Sequence, residues 1–183
     1  GADVVKVERR EGEDMRRTPL SREWAERGLA PGWQAINGNK RSLTLDLTSP
    51  EAQQILTTLC ADADVLVENF RPGVLRKYGL DYPALAAKYP KLIYLSISAF
   101  GQEGALAHHP AHDMAVQALA GFLSVNDGAD GTPVVPGAAS ADLAAGLTAL
   151  SAVLMERFGT RAVIAGSLAT CAVGSAALAQ SRE

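Results

Sequence analysis

The sequence predicts an α/β protein with a parallel sheet flanked by helices. Three observations carry this. Short β-branched or alternating runs recur in the first hundred residues, at Asp3 to Val7, Ser42 to Leu47, Val65 to Val67 and Leu92 to Phe100. Stretches with helical spacing lie between them. The second half then turns helical without further strand signals. Strands alternating with helices join through right-handed crossovers into parallel sheets.

Taken in order, Asp3 to Val7 reads as a short strand. Glu8 to Leu20 is charged and holds Gly12 and Pro19, so it reads as a loop. Ser42 to Leu47 (SLTLDL) alternates polar and apolar, as a strand with one buried face does. Ser49-Pro50-Glu51 opens a helix: serine caps, proline fits the first helical position, and glutamate suits the positive end. Ala52, Ile55, Leu56, Leu59 and Cys60 keep helical spacing until Asp62-Ala63-Asp64 ends it. Val65 to Val67 predicts a buried strand, Arg71-Pro72-Gly73 a turn, and Pro83 to Tyr89 a second helix closed by Pro90. Leu92 to Phe100 is the longest predicted strand.

Met114 to Val125 predicts a helix, and Asn126 to Gly131 (NDGADG) a turn-rich loop. Ser140 starts a long helix to about Arg157, with Leu143, Leu147, Leu150 and Leu154 on one face. Ligands of parallel sheets gather at the carboxyl ends of the strands. Those ends here are Glu8-Arg9-Arg10, Glu68-Asn69-Phe70 and Phe100-Gly101-Gln102.

The 183 residues suit about one domain, and 48% apolar with 20% charged residues matches a globular protein with a core. A net charge of −3 gives no overall pull toward nucleic acid or an anionic membrane. Cys60 and Cys171 form no C-x-x-C pair and are too few for a disulfide framework, which fits a reducing cytoplasm. Both read as small buried hydrophobes. The start lacks the basic and apolar regions of a signal peptide and reads as a chain entered at a strand. Ala162 to Ala179 has no charge and no proline, so its length reaches the lower limit of a membrane span. Its Ala, Gly, Ser and Thr content is weakly hydrophobic, and a packed or disordered tail is the expectation.

Few residue patterns carry chemistry by themselves. His108, His109 and His112 cluster, but Pro110 interrupts the helix that would align them on a metal. Asp127 to Gly131 lacks the ligand alternation of a calcium loop. No phosphate-binding glycine motif and no G-x-S-x-G elbow occurs. Asp142 falls in the first turn of the long helix. There a carboxylate steadies the helix dipole by about 0.3–1 kcal/mol. The same place suits a reactive carboxylate. Ala138, Ala139, Ser140 and Ala141 leave room for a substrate, and unpaired helix N–H groups could steady developing charge. Arg9, Arg10, Lys40, Arg41, Arg71, Arg76 and Lys77 fall near strand ends or turns, as solvated surface or with some of them converging on a phosphorylated ligand.

Several stretches together resemble one family. These are GADVVKVE at 1–8, NGNKRSLTLDL at 37–47, ADVLVENFRPGVLRKYGLDY at 63–82, LIYLSISAFGQEG at 92–104 and the block from His112 to Leu147. They are similar to the class III CoA-transferases, the group of carnitine and formyl-CoA transferases, bile-acid-inducible proteins and 2-methylacyl-CoA racemases. The resemblance implies an incomplete large domain with a Rossmann-like parallel sheet. Residues 1–159 would be the partial, CoA-binding domain and 160–183 an unmatched apolar tail. The family's first strand and helix, its second domain and its glycine-rich loop would lie outside the chain, so a fragment is expected.

The resemblance also implies roles. Asp142 would be the carboxylate that carries the acyl group. Arg9, Leu45, Asn69, Phe70 and Lys77 would contact coenzyme A, whose thioester is substrate and not a resident cofactor. The partners implied are an acyl-CoA, a carboxylic acid and a second copy in an interlocked homodimer, in the cytoplasm, with no nucleic acid and no membrane. Within the same family, His112 and Asp142 match the acid–base pair of the racemases, so proton transfer beside the thioester stays open. A CoA- or nucleotide-binding module without catalysis is the alternative of another class.

Overall fold

A computed structural model describes residues 1–18 and 21–160. The chain divides into two compact units, Gly1–Leu59 with Tyr78–Leu80, and Cys60–Lys77 with the residues from Asp81 onward.

In the first unit, β1 (Val5–Glu8) pairs in parallel with β2 (Arg41–Thr44), with Val5 opposite Arg41 and Glu8 opposite Thr44. The predicted alternation of the second strand outlasts the ladder. Leu43, Leu45 and Leu47 turn inward while Ser42, Thr44 and Asp46 stay exposed. The expected plain loop after β1 contains a 3-10 turn, Asp14–Arg17. It forms because Arg16 reaches back to Glu8, its Nε 2.8 Å from Oε2. The Arg16 guanidinium also lies 3.7 Å from the ring centre of Trp33. Two short helices follow, α1 (Arg22–Glu26) and α2 (Pro31–Asn37), the second opened by proline. Then α3 (Pro50–Ala61) begins as predicted, with the Ala52 N–H donating to Ser49 Oγ at 3.1 Å.

In the second unit, β3 (Val65–Glu68) pairs in parallel with β4 (Ile93–Ser96). Among the described residues the predicted sheet is therefore realised as two parallel pairs, one in each unit. Two expectations fail here. Val67, predicted in a buried strand, is 56% exposed, because a two-stranded pair leaves a face uncovered. The long strand predicted to Phe100 stops at Ser96, since its partner strand ends at Glu68. Helix α4 (Tyr82–Lys88) buries Leu85 to 1% exposure.

The helix predicted to Val125 also breaks early. α5 (Asp113–Leu119) ends before Gly121, whose φ of 77° starts a separate 3-10 turn at Phe122–Val125. The final helix α6 (Ser140–Phe158) matches its prediction and packs on α5 and β4. Its leucine face does not behave as predicted: Leu143, Leu147 and Leu150 are exposed, at 61%, 67% and 55%. Among the described residues no helix is long and apolar enough to cross a membrane. Residues 161–183, with Cys171 and the Ala162–Ala179 stretch, lie outside the described residues.

Candidate functional site

The start of α6 is held from a distance. The residue before the helix, Ala139, has no side chain that can cap. Asp113, at the start of α5, does the capping. Its Oδ1 accepts hydrogen bonds from the Ala141 N–H at 2.7 Å and the Asp142 N–H at 3.1 Å. Its Oδ2 accepts from Gln117 Nε2, one helical turn further along α5. Anionic acceptors at helix starts are stabilising because the N–H groups there have no helical partner.

This corrects one expectation. The backbone donors foreseen as unpaired beside Asp142 are occupied by Asp113. Asp142 itself is exposed, with Ala141 before it and small residues at Gly137, Ala138 and Ala139. His112 is the residue preceding α5, extended and exposed. His112 and Asp142 are thus brought to one junction, each next to the Asp113 contact. The sequence signal for Asp113 was weak, because a capping acceptor 28 residues away leaves no local pattern.

The strand ends form two further groups, one in each unit. In the first, Arg9 and Leu45 directly follow the last paired residues Glu8 and Thr44, and the Leu45 N–H donates to the Glu8 carbonyl at 2.9 Å. Arg9 ion-pairs with Asp14 and donates from Nε to the Gly12 carbonyl at 2.7 Å. Its side chain remains 60% exposed. In the second, Asn69 and Phe70 follow β3. The Phe70 N–H donates to Glu68 Oε2 at 2.8 Å, and Ser96 Oγ donates to the other oxygen. Phe70 and Lys77 are both exposed, Lys77 within a 3-10 turn at Leu75–Tyr78.

A cavity of about 250 Å³ opens at the carboxyl ends of β3 and β4. Its lining includes Glu68, Arg71, Arg76, Tyr94, Ser96 and Gln102. Burial pushes the Tyr94 phenol well above its ordinary range, helped by the nearby Glu68 and Asp81 charges. Of the cations read as candidates for phosphate, Arg71 and Arg76 line this cavity; Arg9, Leu45, Asn69, Phe70, Lys77, His112 and Asp142 do not. Among the described residues no group of three or more His, Cys, Asp or Glu is placed to hold a metal.

Comparison with known proteins defines the class. The family described as CoA-transferase family III matches residues 1–180. The succinate–glutarate CoA-transferase of Agrobacterium fabrum is 43% identical over 157 residues, 84% of this chain and 39% of that protein. The succinyl-CoA:glutarate CoA-transferase of Mus musculus is 35% identical over 166 residues, 87% of this chain and 37% of that protein. A CAIB/BAIF family protein from Brucella suis superposes with a TM-score of 0.76 at 36% identity, over 93% of this chain and 43% of that one. The chain belongs to CoA-transferase family III. It spans about two-fifths of the length of these relatives.

Proposed function

We propose that this chain supplies the reactive carboxylate for moving coenzyme A between an acyl-CoA and a carboxylic acid, and that Asp142 is that carboxylate. The observation that carries the reading is the position of Asp142: exposed, among small residues, on a helix start whose backbone is pinned by Asp113. A carboxylate so placed can act as a nucleophile that splits one exchange into easier steps.

The steps balance without a further reagent. Asp142 attacks the donor thioester carbonyl, CoA thiolate leaves, and an acyl-aspartyl anhydride forms. The thiolate then attacks the aspartyl carbonyl and expels the donor acid, leaving an aspartyl-CoA thioester. The acceptor carboxylate attacks that thioester and releases the thiolate again. Attack of the thiolate on the acceptor acyl carbonyl gives the new acyl-CoA and restores Asp142.

In this reading Arg9, Leu45, Asn69, Phe70 and Lys77 hold the CoA part of the substrate. Arg9 is charged and mostly exposed, so a phosphate can compete for it with Asp14. Phe70 offers an exposed ring to an adenine, and Lys77 an exposed ammonium. The complete protein would act as a homodimer, which light scattering can test. A second reading is supported by His112, which shares the α5–α6 junction with Asp142. It is proton transfer at the carbon beside the thioester.

The complete gene product, supplied with succinyl-CoA and glutarate, separates these. Asp142→Asn should reduce CoA transfer by several orders of magnitude, as loss of a covalent nucleophile does. Transfer that persists in that variant overturns the proposal. Deuterium entering C2 of (R)-2-methylacyl-CoA in deuterated water, with no acceptor acid present, supports the proton-transfer reading in its place.

A further inference from the structure

Gln117 is the most buried polar side chain among the described residues that make the α5–α6 junction, at 2% exposure. Its Nε2 donates to Asp113 Oδ2, while its Oε1 is buried without a hydrogen-bond partner among the described residues. A buried glutamine normally satisfies both ends, so an orphan acceptor asks for a reason. The reason lies in Asp113. The opposite amide orientation would set oxygen against carboxylate oxygen, so this one carboxylate fixes which way the amide points.

The chain of bonds then runs in one direction. Gln117 holds Oδ2 of Asp113, and the remaining oxygen, Oδ1, is left aimed at two successive backbone donors. The second of those donors belongs to Asp142 itself. Small displacements of a reacting group cost large factors in rate.

We propose that Gln117 is a positioning residue for Asp142, orienting the Asp113 carboxylate that pins the first turn of α6. This deepens the proposed function and rests on reading Asp142 as the acyl carrier. At 2% exposure Gln117 offers almost no surface to a substrate. Its effect passes through the hydrogen-bond relay and falls on the step that Asp142 performs.

Exchanging the two side-chain chemistries tests the relay. Gln117→Glu places two carboxylates face to face and removes the donor. Combined with Asp113→Asn, the same change restores a complementary pair, because an amide at 113 can accept from the helix N–H groups and donate to the carboxylate at 117. In the complete gene product, Gln117→Glu should lower kcat by about tenfold or more with KM for acyl-CoA nearly unchanged. The double variant should recover most of that loss. Amide hydrogen exchange at Ala141 and Asp142 should accelerate in the single variant and slow again in the double one. Gln117→Leu, which keeps the volume and introduces no charge, should show the same loss of kcat if Gln117→Glu fails to fold. A double variant no better than the single one, with unchanged exchange at both amides, overturns the inference. If Asp142→Asn keeps full transfer, the functional reading fails instead, and the exchange data still decide whether the relay exists.

Discussion

Arg16→Ala probes the part of the fold that carries Arg9 and Leu45. Glu8 is buried, its side chain 4% exposed, and Arg16 meets it through Nε at 2.8 Å and a second nitrogen at 2.7 Å. The Arg16 side chain is 19% exposed, so water screens the pair little. Removing it leaves Lys6, whose ammonium is 3.6 Å from the other Glu8 oxygen. Breaking a buried pair from one side costs about 3–5 kcal/mol. Losing the stack on Trp33 adds roughly 0.5–2 kcal/mol. Lys6 offsets part of this, so a net loss of about 3 kcal/mol is expected. With a urea dependence of about 1–3 kcal/mol per molar, the midpoint falls by roughly 1–3 M. Both tryptophans, Trp24 and Trp33, lie in the first unit, so fluorescence in urea reports on it alone. Adding Glu8→Gln should recover part of the loss by neutralising the stranded carboxylate. A shift below about 0.5 kcal/mol would show that the pair is dispensable, as exposed pairs are.

Other outcomes follow from the same structure. Leu85→Ala, at a position 1% exposed, should cost about 2–5 kcal/mol in urea unfolding followed by circular dichroism. The Thr48 hydroxyl and then its N–H hold the Asp46 carboxyl below its ordinary range. A lowered native value stabilises the fold above the unfolded pKa, and that contribution disappears as pH falls through the native one. Carbon-detected NMR titration should find the Asp46 value rising toward normal in Thr48→Val. Burial pushes the Cys60 thiol up, so with Cys171→Ser it should react slowly with a thiol reagent at pH 8 and quickly in urea.

Local chemistry made part of the fold legible in advance. The Ser49-Pro50 start of α3 was readable because capping acts within a few residues. The inward leucines in and just after β2 were readable because extended backbone repeats every second residue. What failed depended on distant partners. β4 is shorter than its apolar run because its length is set by β3. The α6 leucines kept helical spacing yet stay exposed, since spacing shows that a face exists but not what covers it. Gly121 ended α5 through a left-handed backbone that helical periodicity does not reveal. Asp142 and His112 are proposed as site residues through family resemblance, because neither stands in a local pattern that names its chemistry. The Asp113–Gln117 relay emerged only once α5 and α6 were seen side by side.

In the proposed reaction Asp142 carries the group being transferred. The most direct measurement is rapid quenching of the complete gene product with succinyl-CoA, followed by peptide mass spectrometry. The expected result is coenzyme A attached to the peptide containing Asp142, converted by hydroxylamine to an aspartyl hydroxamate with release of free CoA. Steady turnover with no adduct on Asp142, or an adduct on another carboxylate, would contradict it.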